Sequence, residues 1–231
     1  MNKVEGIIFD FDGTLAELTI DFNEMKKRLK ALGRAFIDPL PETDNLPALE
    51  WVDYIANSLS IDDADLGKEF HTRCRFLIIS MELEAASHGK LFPFTHSLLV
   101  ELQQSGIKTG IITRNTSSAV KTMLPDIDKL CGCFLSREDV ENVKPHPDHI
   151  QKALGIINLA PENALMVGDH HIDIETGKRA GTLTAAVATG RIPFEELKKS
   201  NPDFIAKDCA ELMDILRGGA SGGLNPFGKR V

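Results

Sequence analysis

Cysteine is scarce in this chain: Cys74, Cys131, Cys133 and Cys209 are its only thiols in 231 residues. Four scattered cysteines exclude the disulfide framework that staples small secreted domains. Cys131-Gly132-Cys133 lacks C-x-x-C spacing, and no second Cys or His pair sits at zinc-site distance from it. Reduced structural thiols in a cytoplasmic protein are therefore the expectation. Long apolar runs are also missing. No stretch approaches the roughly 20 residues that span a bilayer, and Met1-Asn2-Lys3-Val4-Glu5 has no signal-peptide character, so no membrane partner is expected. Basic charge is in deficit, with 26 Lys and Arg against 34 Asp and Glu. That balance argues against general nucleic-acid binding, whose affinity comes largely from cationic side chains. A small anionic substrate is still permitted, because local cations and backbone donors can override the charge of the whole molecule.

What is present is an ordinary globular composition, long enough for a large core and for one or two domains. Its most informative stretch is the apolar run from Val4 to Phe9, which stops at Asp10-Phe11-Asp12-Gly13-Thr14-Leu15. Two carboxylates at the mouth of a buried strand are costly unless a cation or a hydrogen-bond network offsets them. In extended chain Asp10 and Asp12 project together while Phe11 turns into the packing, and Gly13 permits a sharp turn. Such a pair suits phosphoryl transfer: one aspartate attacks phosphorus, while the other protonates the leaving group and later deprotonates water. Close carboxylates repel each other and an anionic substrate, so a divalent cation is expected, and Mg2+, which favours hard oxygen ligands, is the natural candidate. The plainer alternative is a solvated Asp-rich turn.

Beyond this stretch the pattern becomes amphipathic helix over residues 21–32, 46–59 and 64–86, with residues 60–63 as a break. From residue 91 helix and strand alternate: helix 96–104, strand 107–113, helix 117–124, strand 133–136, helix 147–154, strand 164–168, helix 174–180, strand 184–188, strand 204–206 and helix 209–216. Alternation of this kind implies a mostly parallel α/β sheet covered on both faces. Residues 1–16 and 91–217 then form the core and residues 17–90 a helical insertion placed to act as a lid. Residues 218–231, rich in glycine, read as a mobile tail.

Ligands of open parallel sheets bind beyond the carboxyl ends of the strands. One strand there ends in Thr113-Arg114-Asn115-Thr116, which is either a phosphate site of backbone N–H groups with the Thr113 hydroxyl, or an N-cap by Asn115 or Thr116. Another ends in Asp169-His170-His171-Ile172-Asp173, where Asp169 is placed to ligate a metal and Asp173 to ligate or support it. The two histidines read as exposed loop residues, since adjacent side chains diverge and the aspartates favour a harder ion than zinc. Between them lies Val143-Lys144-Pro145-His146-Pro147, in which Pro145 holds Lys144 extended and Pro147 suits the first turn of a helix. Lys144 is either a surface lysine or a cation that reaches phosphoryl oxygens.

In this order the residues resemble the haloacid dehalogenase superfamily, specifically its phosphatases with a helical cap inserted after the first strand. The resemblance rests on Asp10-Phe11-Asp12-Gly13-Thr14, Thr113, Lys144 before Pro145, and Gly168-Asp169 through Asp173. It implies a Rossmann-like core, with Asp10 as nucleophile and Asp12 as general acid and base. It also implies Mg2+ held by Asp10, the backbone carbonyl of Asp12, and Asp169, with Asp173 assisting. Asp12 sets the chain apart from the dehalogenases of the superfamily, which lack an acid there, and from its transport ATPases, which carry Asp-Lys-Thr-Gly-Thr. No Schiff-base lysine of a phosphonate hydrolase stands out among Lys26, Lys27 and Lys30. Two departures concern the substrate: Ala16-Glu17-Leu18 replaces the usual continuation of phosphoglycolate-type relatives, and Arg114 follows Thr113 where a small residue or Asn is common. Arg114 is thus either a ligand for an anionic leaving group or a solvated loop arginine. The expected activity is hydrolysis of a small phosphorylated metabolite, phosphoglycolate phosphatase-like. A phosphosugar mutase and a non-catalytic binding protein are the alternatives, and both monomer and homodimer stay open.

Overall fold

A computed structural model describes residues 4–17, 20–41 and 46–218. The expected mobile tail lies outside these residues, apart from Gly218. The chain separates into two compact units, residues 1–18 with 89–231, and residues 19–88.

The first unit is built on a six-stranded sheet in the order β3-β2-β1-β4-β5-β6 with every pairing parallel. Its strands are β1 (Gly6–Phe9), β2 (Lys108–Ile112), β3 (Cys133–Leu135), β4 (Ala164–Gly168), β5 (Leu183–Val187) and β6 (Phe204–Ala206). Strand β1 is central and buried on both faces, which is why Gly-Ile-Ile-Phe shows no polar alternation. Side-chain parity divides the packing: Ile7, Phe9, Ile111, Leu165 and Val167 enter one core, and Ile8, Ile112 and Met166 the other. The chain runs outward from β1 to β2 and β3, then crosses to β4 on the far side of β1. The switch point therefore falls beside β1, where Asp10 emerges.

The second unit consists of α1 (Phe22–Gly33), α2 (Ala48–Asp62) and α3 (Ala64–His88). Met25, Leu29, Trp51, Ile55, Phe70 and Ile78 form its core, with Trp51 and Phe36 meeting Phe70 edge-on at 6.1 and 5.4 Å. The expected break at 60–63 contracts to a single residue. Asp63 closes α2, and its Oδ1 accepts from the N–H groups of Asp65 and Leu66, so one side chain caps the helix that follows.

The remaining helices are α4 (Thr95–Gln104), α5 (Ser117–Met123), α6 (Ile127–Leu130), α7 (Asp148–Ile157), α8 (His171–Ala180), α9 (Phe194–Lys198) and α10 (Cys209–Leu216). Helices α6 and α9 went unforeseen, being too short to show a 3.6-residue period. Helix α8 starts three residues before the expected Ile174, and α7 begins after Pro147, which stands at its N-cap. The α/β class with an inserted helical unit agrees with the expectation from sequence. No helix among the described residues is long and apolar enough to cross a membrane.

Candidate active site

Strand ladders deliver the polar residues to one sheet edge. The N–H of Asp10 donates to the carbonyl of Val167 at 2.8 Å, and that of Thr113 to Leu135 at 3.0 Å, so each side chain leaves from the last pinned position of its strand. After Asp10 the backbone turns. The carbonyl of Phe11 accepts from both Leu15 and Ala16, the Phe11 ring is fully buried, and Gly13 takes φ +85°, a conformation that side chains resist.

Different partners then hold the two acids once the turn begins. The two carboxylates enter different networks. Asp10 Oδ1 lies 2.7 Å from Lys144 Nζ, which is also 2.7 Å from Asp173 Oδ1. One carboxylate oxygen from each of Asp10, Asp169 and Asp173 lies within 4.8 Å of those of the other two, and all three residues are buried. Asp12, by contrast, accepts from the Thr113 hydroxyl at 3.1 Å and from the Asn115 amide at 3.1 and 3.2 Å.

Charge in these two places behaves accordingly. Burial raises the Asp10 carboxyl well above the usual carboxylate range, with Lys144 opposing and Asp173 and Asp169 adding to the shift. Burial and then the Asp173 charge push Asp169 up to about 7. For Asp12 burial again raises the pKa, while the bonds from Asn115 and Thr113 pull it back. Burial alone would lower Lys144, but its ion pairs with Asp10 and Asp173 reverse the sign and hold the ammonium charged. Three buried carboxylates thus face one buried lysine, an excess of negative charge that a divalent cation would offset, and an all-oxygen donor set fits a hard ion such as Mg2+.

The other predicted residues fall as follows. Lys144 is buried, which removes the surface reading, and its peptide bond to Pro145 is cis. Thr116, not Asn115, caps α5, leaving the Asn115 amide to hold Asp12. Arg114 reaches across to donate from Nη1 to the Lys144 carbonyl at 2.9 Å, so it is not simply a solvated loop residue. The reading of His170 and His171 as exposed loop residues is corrected: both are half-buried. His170 is the N-cap of α8, its Nδ1 accepting from Ile172 N–H, and His171 Nδ1 pairs with the Ser200 hydroxyl at 2.6 Å. Nor do the two side chains diverge: their rings meet edge-on with centroids 5.5 Å apart, and each finds a polar partner once helix α8 starts early.

Sequence reasoning missed Arg137 and the turn at 188–190. Arg137 follows β3, is buried, and donates from Nη1 to the Arg114 carbonyl at 3.0 Å. Thr189 donates to the Gly13 carbonyl at 2.5 Å. Their only signal was position, each lying just past the carboxyl end of a parallel strand.

The family model described as haloacid dehalogenase-like hydrolase matches residues 7–187, a span that carries Asp10, Asp12, Thr113, Lys144, Asp169 and Asp173. The chain belongs to the haloacid dehalogenase-like hydrolases. As a member of that family it is a hydrolase, the enzyme class its motifs led us to expect. Among curated relatives of this hydrolase is the pyrophosphatase PpaX of Bacillus cereus strain Q1, 34% identical over 229 residues, covering 93% of this chain and 97% of the relative. Among solved structures, one described as a predicted phosphoglycolate phosphatase, from Haemophilus somnus, superposes with a TM-score of 0.64 at 22% identity, covering 93% of this chain and 99% of that one. A phosphonoacetaldehyde hydrolase-like protein from Oleispira antarctica gives 0.66 at 18% identity, covering 93% and 91%. At those identities the two structures speak for the fold.

Proposed function

We propose that this hydrolase is a Mg2+-dependent cytoplasmic phosphatase of a small phosphorylated metabolite, working through an aspartyl phosphate on Asp10. The observation that carries the reading is the segregation of two carboxylates that are two residues apart. Asp10 sits in the Lys144 and Asp169–Asp173 cluster, whereas Asp12 is held by Thr113 and Asn115. Environments that separate two neighbouring acids are how one site keeps a nucleophile and a proton carrier apart.

In the first step an Asp10 oxygen attacks phosphorus and the bond from phosphorus to the leaving oxygen breaks, while Asp12, whose carboxyl burial biases toward the protonated form, gives a proton to that oxygen. In the second, water attacks the same phosphorus, Asp12 takes the water's proton, and inorganic phosphate leaves with Asp10 regenerated. Thr113 and Asn115 keep Asp12 oriented through both steps. Lys144 neutralises Asp10 and lies where it meets phosphoryl oxygens as their charge grows. Asp10, Asp169 and Asp173, with the carbonyl of Asp12, would hold Mg2+, which supplies charge neutralisation for the phosphoryl group. Arg114, anchored on the Lys144 carbonyl, is suited to a second anionic group on the leaving side. The four free, buried cysteines agree with a reducing compartment: burial pushes the thiols of Cys74 and Cys131 up to about 12 and that of Cys133 to about 11.

A second substrate reading has its own support. The curated relative at 34% identity is named a pyrophosphatase, and a diphosphate carries the second anionic group that Arg114 would take. The test is phosphate release from 2-phosphoglycolate, common sugar phosphates and inorganic pyrophosphate, each with Mg2+ and with EDTA, together with product analysis for isomerised sugar phosphate. Mg2+-dependent phosphate release supports hydrolysis and the best substrate separates the two readings. Isomerisation without phosphate release would replace the phosphatase by a mutase, and Mg2+-dependent binding without turnover would replace it by a binding protein.

A further inference from the structure

The Asp169 carboxylate is enclosed by backbone on two sides. A methyl group on Gly13 would lie 2.6 Å from its Cγ and 2.8 Å from its Oδ1. A methyl group on Gly190 would overlap its Oδ2 and lie 2.5 Å from its Cγ and 2.9 Å from its Cβ. Gly13 belongs to the first sequence motif and is also required by its positive φ. Gly190 belongs to no recognised motif of this chain and lies three residues beyond β5. The turn that carries it is fastened to the turn that carries Gly13, because the Thr189 hydroxyl donates to the Gly13 carbonyl at 2.5 Å. Thr14, next in that turn, donates its hydroxyl to Asp169 Oδ1 at 3.3 Å.

We propose that Thr189 and Gly190 form a positioning clamp for Asp169, holding its carboxylate toward Asp10 and Asp173 in the geometry that binds Mg2+. The proposal rests on the metal reading above. Contact with a bare Cα leaves the carboxylate one orientation, and the Thr189 bond stops the two turns from drifting apart. A cluster of like charges would otherwise spread when no cation is bound, so the clamp holds the ligands ready against their own repulsion.

The experiment is Mg2+ titration by calorimetry of the metal-stripped full-length chain, with melting temperatures recorded in EDTA. Gly190→Ala is expected to weaken Mg2+ binding by about tenfold or more, and Thr189→Val by several-fold, in the range seen when groups that orient metal ligands are removed. Thr189→Ser, which keeps the hydroxyl, is expected to bind within about twofold of wild type. Gly155→Ala, whose added methyl meets nothing within 4 Å, serves as the control with unchanged binding. If Gly190→Ala does not fold, the Thr189→Val and Thr189→Ser pair decides alone. Wild-type affinity in Gly190→Ala and Thr189→Val, or equal weakening in Thr189→Val and Thr189→Ser, overturns the clamp and leaves the metal reading standing. No Mg2+ binding by the wild-type chain overturns both.

Discussion

The two units of this hydrolase handle polarity in opposite ways. In the helical unit, Glu82 alone among the described polar and charged side chains is buried, and surface pairs such as Glu69–Arg73 and Glu24–Arg28 run along helix faces at i,i+4 spacing. In the α/β unit, Asp10, Thr113, Asn115, Arg137, Lys144, Asp169 and Asp173 are all buried; Asp173 lies in the first turn of α8 and the others in the segments that join strands to the helices after them. Burying charge costs stability, so a chain that collects it at one edge of a sheet does so for chemistry, whereas a unit that keeps charge on its surface is held by apolar packing. Substitutions of charged groups should therefore be severe in the first setting and mild in the second.

The largest expected contrast is Asp10→Asn, which should lower phosphate release by about 10⁴-fold or more while the circular dichroism and melting curves stay those of a folded protein. Near-wild-type turnover in that variant would remove the reason for separating the two carboxylates. Next comes Lys144→Met, which leaves Asp10 and Asp173 without their shared cation. Urea unfolding in EDTA should show a loss of about 3–5 kcal/mol, the cost of breaking a buried pair from one side.

A smaller and pH-dependent effect belongs to His149, fully buried on α7 with Nε2 3.2 Å from the Leu135 carbonyl. Burial and then the Lys144 charge push its imidazole down to about 4. The unfolded chain therefore binds a proton near pH 6.5 that the folded chain refuses. Stability should be full above that pH and fall as pH drops toward 4, by roughly 3 kcal/mol at most. Denaturant titrations at pH 7 and 4.5 should show this slope flattened in His149→Leu, and an unchanged slope would acquit the histidine.

The smallest effect is expected in the helical unit. Arg73 of α3 pairs with Glu69 and stacks at 5.6 Å over Phe36 on an exposed face. Arg73→Ala should change stability by no more than about 0.5 kcal/mol. A large loss of turnover in that variant would instead move substrate recognition into this unit and undo the contrast.

Much of the molecule could be read before its coordinates. Strands β4 and β6 and helix α10 have the bounds that the apolar pattern and turn residues predict, because short buried strands between glycine, proline and Asp-rich turns carry strong local signals. The residues at the strand ends could be named for the same reason: charge after an apolar run is conspicuous. Their grouping was less legible. Asp10 and Asp12 look like one pair in extended chain and occupy two networks, because the turn begins at Phe11. Arg137 and Gly190 carry no signal beyond their place after a strand, since a buried arginine and a glycine against a carboxylate are defined by neighbours 23 and 21 positions away, Arg114 and Asp169.

The sequence by itself determined the α/β class, the helical insertion and the identity of the acids at the sheet edge, all of which follow from hydrophobic period and local turn chemistry. Only the tertiary structure decided which acid keeps company with Lys144, which is held by Thr113 and Asn115, and that Gly190 closes against Asp169. Those contacts join segments more than 20 residues apart, and what brings them together is the parallel pairing of β1 with β2 and β4 and of β4 with β5, which no local pattern encodes.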